Sequence, residues 1–234
     1  MKKSFFLILT FVTLFLLQAQ AQTADEIINK HIEARGGIEK LRALQSMIMQ
    51  GTMVQVNGKV EMKYYFVQGK ATKLEFASAG QSGYTIMTEK GTWIFNPFNG
   101  INSEVEYTED QLKDVKSKLD FQGPLVDYKT KGNTVEYLGK ENSQGLEYYK
   151  LKLTRANGKT ETYYLDKNYL IAKLVSTQIV QETESEVTTE YSDYRKTPEG
   201  YVISFKVVDR GLATSFDKVE INPKIDESIF KPSN

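Results

Sequence analysis

The sequence lacks several residues on which common kinds of functional site depend. It has no cysteine, which excludes disulfides, thiolate metal sites and cysteine nucleophiles. Its single histidine, His31, excludes metal sites built from several histidines and leaves little acid–base capacity near neutral pH. Thirty basic residues balance thirty acidic ones, so no net positive charge points to nucleic acid. The composition is otherwise that of an ordinary globular protein.

Long apolar runs are confined to the amino terminus. Two lysines precede the apolar run 5–17, and Ala19 and Ala21 place small residues where a signal peptidase reads. The run is shorter than the about twenty residues that a membrane helix needs. We therefore predict a cleaved secretory signal over residues 1–21 and one exported domain over residues 22–234. The alternative is an uncleaved membrane anchor. Because cysteine is absent, the chain has no site for an N-terminal lipid of its own.

The apolar periodicity changes from helical to extended near residue 46. Over residues 24–45, apolar side chains recur at helical spacing, and Gly36 and Gly37 are predicted to separate two helices. From Met47 onward, apolar residues alternate with polar ones, which is typical of strands with one buried face. The first strands are predicted around residues 60–67, 73–76, 84–88 and 92–96.

An inserted helix is predicted over residues 108–121, with Leu112, Val115 and Leu119 as its narrow apolar stripe. Strands then resume at about 134–141, 146–155, 159–166, 170–180, 185–195, 200–209 and 214–221. The sequence predicts a mostly β protein of the α+β class, with a single curved antiparallel sheet of about 11 strands. The sheet should form a half-open barrel, lidded by the N-terminal and inserted helices. Because three short helices cannot fill so large a sheet, we expect a cavity beneath them.

Three patterns bear on catalysis, and each has a plainer structural interpretation. His31 could act as a base, but no serine or aspartate is placed beside it by any motif. Residues 80–84 approach a nucleophile elbow but lack its last glycine. Glu182, Glu184 and Glu186 share one strand face, which suits a glycosidase pair, a calcium site or simply a solvated edge. We expect no catalytic residue, cofactor or metal; a hydrolase using His31 or the acidic cluster is the alternative.

The most distinctive segment is 85–98, TIMTEKGTWIFNPF. It contains the only tryptophan, Trp93, and continues into Asn96, Pro97 and Phe98. A strand, a tight turn and a Trp-bearing strand that ends in Asn-Pro-Phe before a helix resemble the LolA/LolB family of bacterial lipoprotein carriers. The order of elements agrees over most of the exported domain. The resemblance implies a half-open β-barrel with an apolar interior, with Trp93, Asn96, Pro97 and Phe98 as the motif residues.

The resemblance also implies a function. It implies a non-enzymatic periplasmic carrier that binds acyl chains of a lipid or lipoprotein and transfers them toward the outer membrane. Its partners would be inner-membrane donor and outer-membrane acceptor proteins, with transient membrane contact and no nucleic acid. A cell-envelope scaffold that binds a protein partner through the same sheet is the alternative. The predicted cavity residues are Met49, Met62, Tyr64, Phe66, Phe76, Ile86, Trp93 and Phe95, and the predicted lid residues are Leu112, Val115 and Leu119.

One feature departs from the family pattern. Lipoprotein carriers of the family have an arginine on an early strand that fastens the lid, whereas this chain has Lys70 and Lys73 near the corresponding place. Lysine lacks the planar fork of arginine, so a latch of the same geometry is not expected there.

Overall fold

A computed structural model of the protein describes residues 23–56, 58–106, 118–180 and 183–232. The predicted signal segment 1–21 and most of the predicted inserted helix lie outside the described residues. The described chain opens with two helices, α1 (Ala24–Ala34) and α2 (Ile38–Ala43). Within these ranges, no helix has the length and apolar content needed to cross a membrane.

Helix α1 has clear start and stop signals. Thr23 and Glu26 form a capping box, in which the Thr23 hydroxyl accepts from the Glu26 backbone N–H and the Glu26 carboxylate accepts from the Thr23 N–H. The helix ends before Gly36, as predicted. Gly36 has a φ of +117°, and a Cβ there would lie 2.6 Å from the Gly200 carbonyl oxygen, so no other residue fits.

The described residues form thirteen strands, against about 11 predicted, and the additional strands include the short β6, which follows the Asn-Pro-Phe motif. The strands are β1 (Ser46–Gln55), β2 (Gly58–Val67), β3 (Ala71–Ser78), β4 (Gln81–Thr88), β5 (Gly91–Asn96), β6 (Ile101–Glu106), β7 (Thr134–Ser143), β8 (Leu146–Thr154), β9 (Thr160–Leu165), β10 (Ile171–Val180), β11 (Thr183–Lys196), β12 (Val202–Asp209) and β13 (Leu212–Ile221). Short 3₁₀ helices cover Pro97–Asn99 and Glu227–Phe230.

All thirteen strands belong to one antiparallel sheet, ordered β6-β5-β4-β3-β2-β1-β13-β12-β11-β10-β9-β8-β7. The sheet is therefore two meanders, β1 to β6 and β7 to β13, joined where the first strand pairs with the last. In the described chain, β6 and β7 are its two edges. A single open antiparallel sheet with few helices is the architecture that the alternating pattern predicts, and this prediction is confirmed.

The two faces of the sheet have different coverings. The inner face is the one that carries Met47 and Met49, and it packs against α1, α2 and the segment 121–126. The outer face of the first meander carries Ile86 and Trp93, which pack with Phe230 of the C-terminal 3₁₀ helix. The main core lies under α1 and α2, where Ile27, Ile28 and Leu41 meet inward residues of β8 and β9.

Candidate functional site

A cavity of about 460 Å³ lies between α1 and the inner face of the sheet. Its volume falls within the roughly 300–1,000 Å³ of pockets that hold small molecules. Aromatic and aliphatic side chains from α1's neighbourhood and from both meanders form most of its wall: Met49, Tyr64, Phe66, Phe121, Ile171, Leu174, Tyr191, Tyr194, Ile203, Val207 and Phe216.

Strand alternation and register bring the first group of wall residues together. Met49 on β1 pairs with Tyr64 on β2, so the two side chains share the inner face. Phe66 lies two residues further along β2, and its ring stacks beside that of Tyr64 with centroids 6.0 Å apart. Phe216 meets Tyr64 edge to face at 5.7 Å, and Phe121 contacts Phe66 at 5.4 Å. Aromatic rings cover a large area, so this part of the wall is apolar.

A largely buried ion pair interrupts the apolar wall. The Arg155 guanidinium donates two hydrogen bonds, of 2.9 and 3.0 Å, to the Glu161 carboxylate. The Tyr163 hydroxyl donates to the same carboxylate. Burial, followed by the neighbouring Glu161 charge, raises the pKa of Tyr163 well above its usual value. The Arg155 and Glu161 charges therefore neutralise each other, and Arg155 is not a free cation for a ligand.

Two residues at the carboxyl end of α1 bring further polar groups to the cavity. His31 is 1% exposed, and its Nδ1 lies 2.8 Å from the Tyr169 carbonyl oxygen, so Nδ1 carries the proton. Burial, helped by the Arg35 charge, lowers the pKa of His31 to about 3, and the ring is neutral at physiological pH. Its Nε2 is buried and has no hydrogen-bond partner among the described residues. Arg35, one helical turn later, also lines the cavity.

The structure places only part of the predicted set in one cavity. Met49, Tyr64 and Phe66 line it together. Met62 and Phe76 share the inner face by register but lie beyond the cavity wall. They border a separate groove of about 540 Å³, which charged and polar side chains dominate and which is therefore poorly suited to an apolar ligand.

Ile86, Trp93 and Phe95 lie on the other face of the sheet. Ile86 pairs with Trp93 across β4 and β5, and both pack against Phe230 in the outer-face cluster. Phe95 pairs with Tyr84 on that same face, with ring centroids 5.7 Å apart. The prediction of one cavity lined by all eight residues is therefore wrong for these three, because the register turns them away from Tyr64 and Phe66.

Of the predicted lid residues, Leu112 and Val115 lie outside the described residues. Leu119 is fully buried but is not part of the cavity wall. Its carbonyl accepts from the Gly69 N–H at 3.1 Å, and the next residue, Asp120, accepts from the Gln68 side chain. These bonds tie the chain to the β2–β3 turn, so that Phe121, rather than Leu119, reaches the cavity.

The Asn-Pro-Phe motif has a structural role at the end of β5. Pro97 begins the short 3₁₀ helix, and Phe98 packs on Phe76 with ring centroids 5.9 Å apart. Each of the two lysines near the position of the family's latch pairs with a carboxylate: Lys70 with Glu227 at 3.3 Å and Lys73 with Glu75 at 2.9 Å.

Sequence reasoning did not single out Arg35, Phe121, Arg155 and Phe216. Arg35 follows His31 by four residues, a spacing that places both on one side of a helix. That spacing can be read directly from the sequence. The contribution of the distant strands to the wall cannot, because it depends on the pairing of β1 with β13.

The fold and cavity define a class: an open antiparallel half-barrel with helices over one face and an internal apolar cavity. No protein-family model matches the chain, and no curated protein matches it. Solved structures do match. A LolA superfamily protein of Nitrosomonas europaea has a TM-score of 0.55 at 12% identity, over 90% of this chain and 98% of that one.

Two further structures give the same result. An outer membrane lipoprotein-sorting protein domain of Vibrio parahaemolyticus has a TM-score of 0.54 at 11% identity, over 88% of this chain and 94% of that one. A DUF1329 family protein of Desulfovibrio piger has a TM-score of 0.51 at 9% identity, over 90% of this chain and 98% of that one. The likeness to LolA superfamily proteins is thus confirmed as a likeness of fold.

Proposed function

We propose that this protein is a non-enzymatic exported carrier that binds an acyl chain in the cavity and moves it across the periplasm toward the outer membrane. The observation that carries the proposal is the cavity of about 460 Å³ with its aromatic and aliphatic wall. The cargo would be a lipid or the acyl part of a lipoprotein. Donor and acceptor proteins in the two membranes would load and unload it.

The size of the cavity suits a carrier that must also release its cargo. At roughly 30 Å³ per water-sized group, it has room for on the order of fifteen methylene-sized groups, which is one acyl chain. At about 0.8 kcal/mol per buried methylene, such a chain gains at most about 12 kcal/mol. That is well below the ceiling of roughly 18–21 kcal/mol for non-covalent binding, so the chain can leave again.

The wall is also adaptable. Tyr64, Phe66 and Leu174 are only half-buried in the free protein, so they have surface left to cover with a ligand. Met49 adds a flexible, polarisable side chain that fits irregular apolar shapes. An apolar ligand that covers these half-buried side chains removes their remaining contact with water, and this burial contributes favourable free energy to binding.

Binding of a neutral environment-sensitive dye tests the proposal. We expect the wild-type protein to bind the dye, and Leu174→Trp to lose most of this binding because the larger ring fills the cavity. Leu146→Trp is the matched control, since Leu146 is 60% exposed at a hairpin and outside the cavity. Wild-type protein that binds no dye, or two variants that bind it equally, would contradict the proposal.

Native mass spectrometry of the protein taken from its own cell envelope tests the cargo. A carrier should retain a lipid-sized mass that is absent after delipidation. A complex with a protein and no lipid would instead support the alternative of an envelope scaffold.

A further inference from the structure

The cavity contains a cation that the structure leaves largely unused. Arg35 caps the carboxyl end of α1, and its guanidinium lies over Gly123, where a Cβ would come within 3.1 Å of its Nη1. The absence of a side chain at residue 123 therefore makes room for the guanidinium at the cavity wall. The Arg35 Nη1 donates one hydrogen bond, to the backbone oxygen of Gln122 at 2.8 Å.

That one bond is a small part of what arginine can donate. A guanidinium carries five N–H donors in a planar fork that matches a carboxylate or a phosphate. No carboxylate of the described residues forms an ion pair with Arg35. The nearby Asp120 is occupied by Lys131 at 2.6 Å and by the Gln68 amide at 2.9 Å. Glu161 is occupied by Arg155. Asp209, the carboxylate that lines the cavity itself, accepts from the Thr189 hydroxyl at 2.9 Å.

A second polar group at the same end of the cavity also lacks a partner. The Nε2 of His31 is buried and accepts no hydrogen bond from any described residue. Buried polar groups are almost always paired, so an unpaired one at a cavity wall indicates a place for a ligand or a water held by it. His31 lies on α1, and Arg35 is the cap residue four positions later, whose backbone N–H donates to the His31 carbonyl oxygen at 3.1 Å. This spacing places the two residues on the same side of the helix.

The polar end and the apolar wall are continuous. Phe121 and Gly123 belong to one short segment, so the guanidinium lies beside the start of the aromatic wall formed by Phe66 and Tyr64. A ligand that satisfies both ends must have a compact anionic group followed directly by an apolar tail.

We propose that the cavity binds a single-chain amphiphile head-first, with an anionic carboxylate or phosphate on Arg35 and its tail along Phe66 and Tyr64. This rests on the proposed function and names its ligand class. A proton kept by the headgroup, or a water bound to it, supplies the donor for His31 Nε2.

Competition against the neutral dye tests this with three probes that share one chain: oleic acid, oleyl alcohol and oleoyl lysophosphatidic acid. We expect oleate to displace the dye about tenfold more effectively than the alcohol, because charge-assisted hydrogen bonds are stronger than neutral ones. Arg35→Gln should abolish that preference. Arg35→Lys should retain part of it, since a charge remains without the fork.

Arg42→Gln is the control for loss of an arginine. Arg42 lies on α2, is about half exposed and pairs with Asp127 outside the cavity, so the preference for oleate should persist. A stronger, Arg35-dependent preference for the lysophospholipid would identify the headgroup as a phosphate, and one for oleate would identify it as a carboxylate.

In the wild-type protein, displacement by oleate and by the lysophospholipid that is in both cases no stronger than displacement by oleyl alcohol would overturn the inference. So would an Arg35→Gln variant that weakens acid and alcohol to the same extent. In both cases the dye and the alcohol still bind, so the carrier function survives. Wild-type protein that binds none of the probes and no dye would instead overturn the proposed function itself.

Discussion

The two parts of the inner face differ in how completely they are covered. Under α1 and α2, the core residues Ile27, Leu151 and Leu165 are fully buried. Along the cavity, Phe66 and Leu174 keep part of their surface exposed although they belong to the same sheet. The residue types are similar in both places. The difference comes from the helices above them, which pack tightly at one end and leave the rest of the face open.

Simple dimensions explain why the covering is incomplete. Helix α1 has 11 residues and is therefore about 16 Å long, at about 1.5 Å per residue. Thirteen strands spaced about 4.8 Å apart extend about 58 Å across the sheet, measured along its curve. The described helices can therefore seal one section of the inner face only, and a cavity beside it follows from geometry.

The largest expected effect on stability comes from removing a side chain from the core under α1 and α2. Leu151→Ala should lower the free energy of unfolding by about 2–5 kcal/mol, because it leaves a void in a fully packed core. Leu174→Ala makes the same change at the cavity wall and should cost about 1 kcal/mol, since space already adjoins that side chain. Chemical denaturation measures both. Equal losses would mean that the cavity wall is as tightly packed as the core.

A pH-dependent effect of about 2 kcal/mol is expected from His31, where the core meets the cavity. Burial holds its pKa at about 3 in the folded protein, against an ordinary value of 6.5. Below pH 6.5 the unfolded chain takes up a proton that the folded protein does not, so stability falls as the pH decreases. For this group alone, the loss between pH 7.5 and pH 5 is about 2 kcal/mol.

Comparison with His31→Asn isolates this contribution from the titration of carboxylates. The difference in unfolding free energy between wild type and variant should shift by that amount over the same pH range, in favour of the variant at low pH. A difference that is constant with pH would show that His31 titrates normally in the folded protein.

The sequence predicts strands and the face that each presents, but not which faces meet. Across β2 and β3 the turn has three residues, and inward positions stay even-numbered, as in Tyr64 and Leu74. Across β3 and β4 the turn is the two residues 79–80, and the inward positions become odd, as in Thr85. With the length of each turn known, this change of parity places Ile86 on the outer face. When the ends of the turns are not known, all large apolar residues of the first meander are assigned to the same face.

The C-terminal half of the cavity was beyond sequence reasoning for another reason. Phe216 reaches Tyr64 only because β13 pairs with β1, across most of the chain. No local pattern indicates that pairing. The helix α1 and the fold class, by contrast, follow from local signals such as the Thr23 capping box and the alternation that begins near Met47.

The smallest stability effects, and the sharpest comparison, come from one aromatic ring on each face. Phe66→Ala and Trp93→Ala each remove a half-buried ring and should each cost about 1–2 kcal/mol, less than a fully buried ring would. Dye and oleate binding should fall markedly for Phe66→Ala, since its ring is part of the cavity wall. Binding should be unchanged for Trp93→Ala, because its ring packs with Ile86 and Phe230 on the outer face. Trp93→Ala that impaired binding as strongly as Phe66→Ala would mean that the ligand lies against the outer face, where the motif tryptophan is, and would move the site away from Arg35.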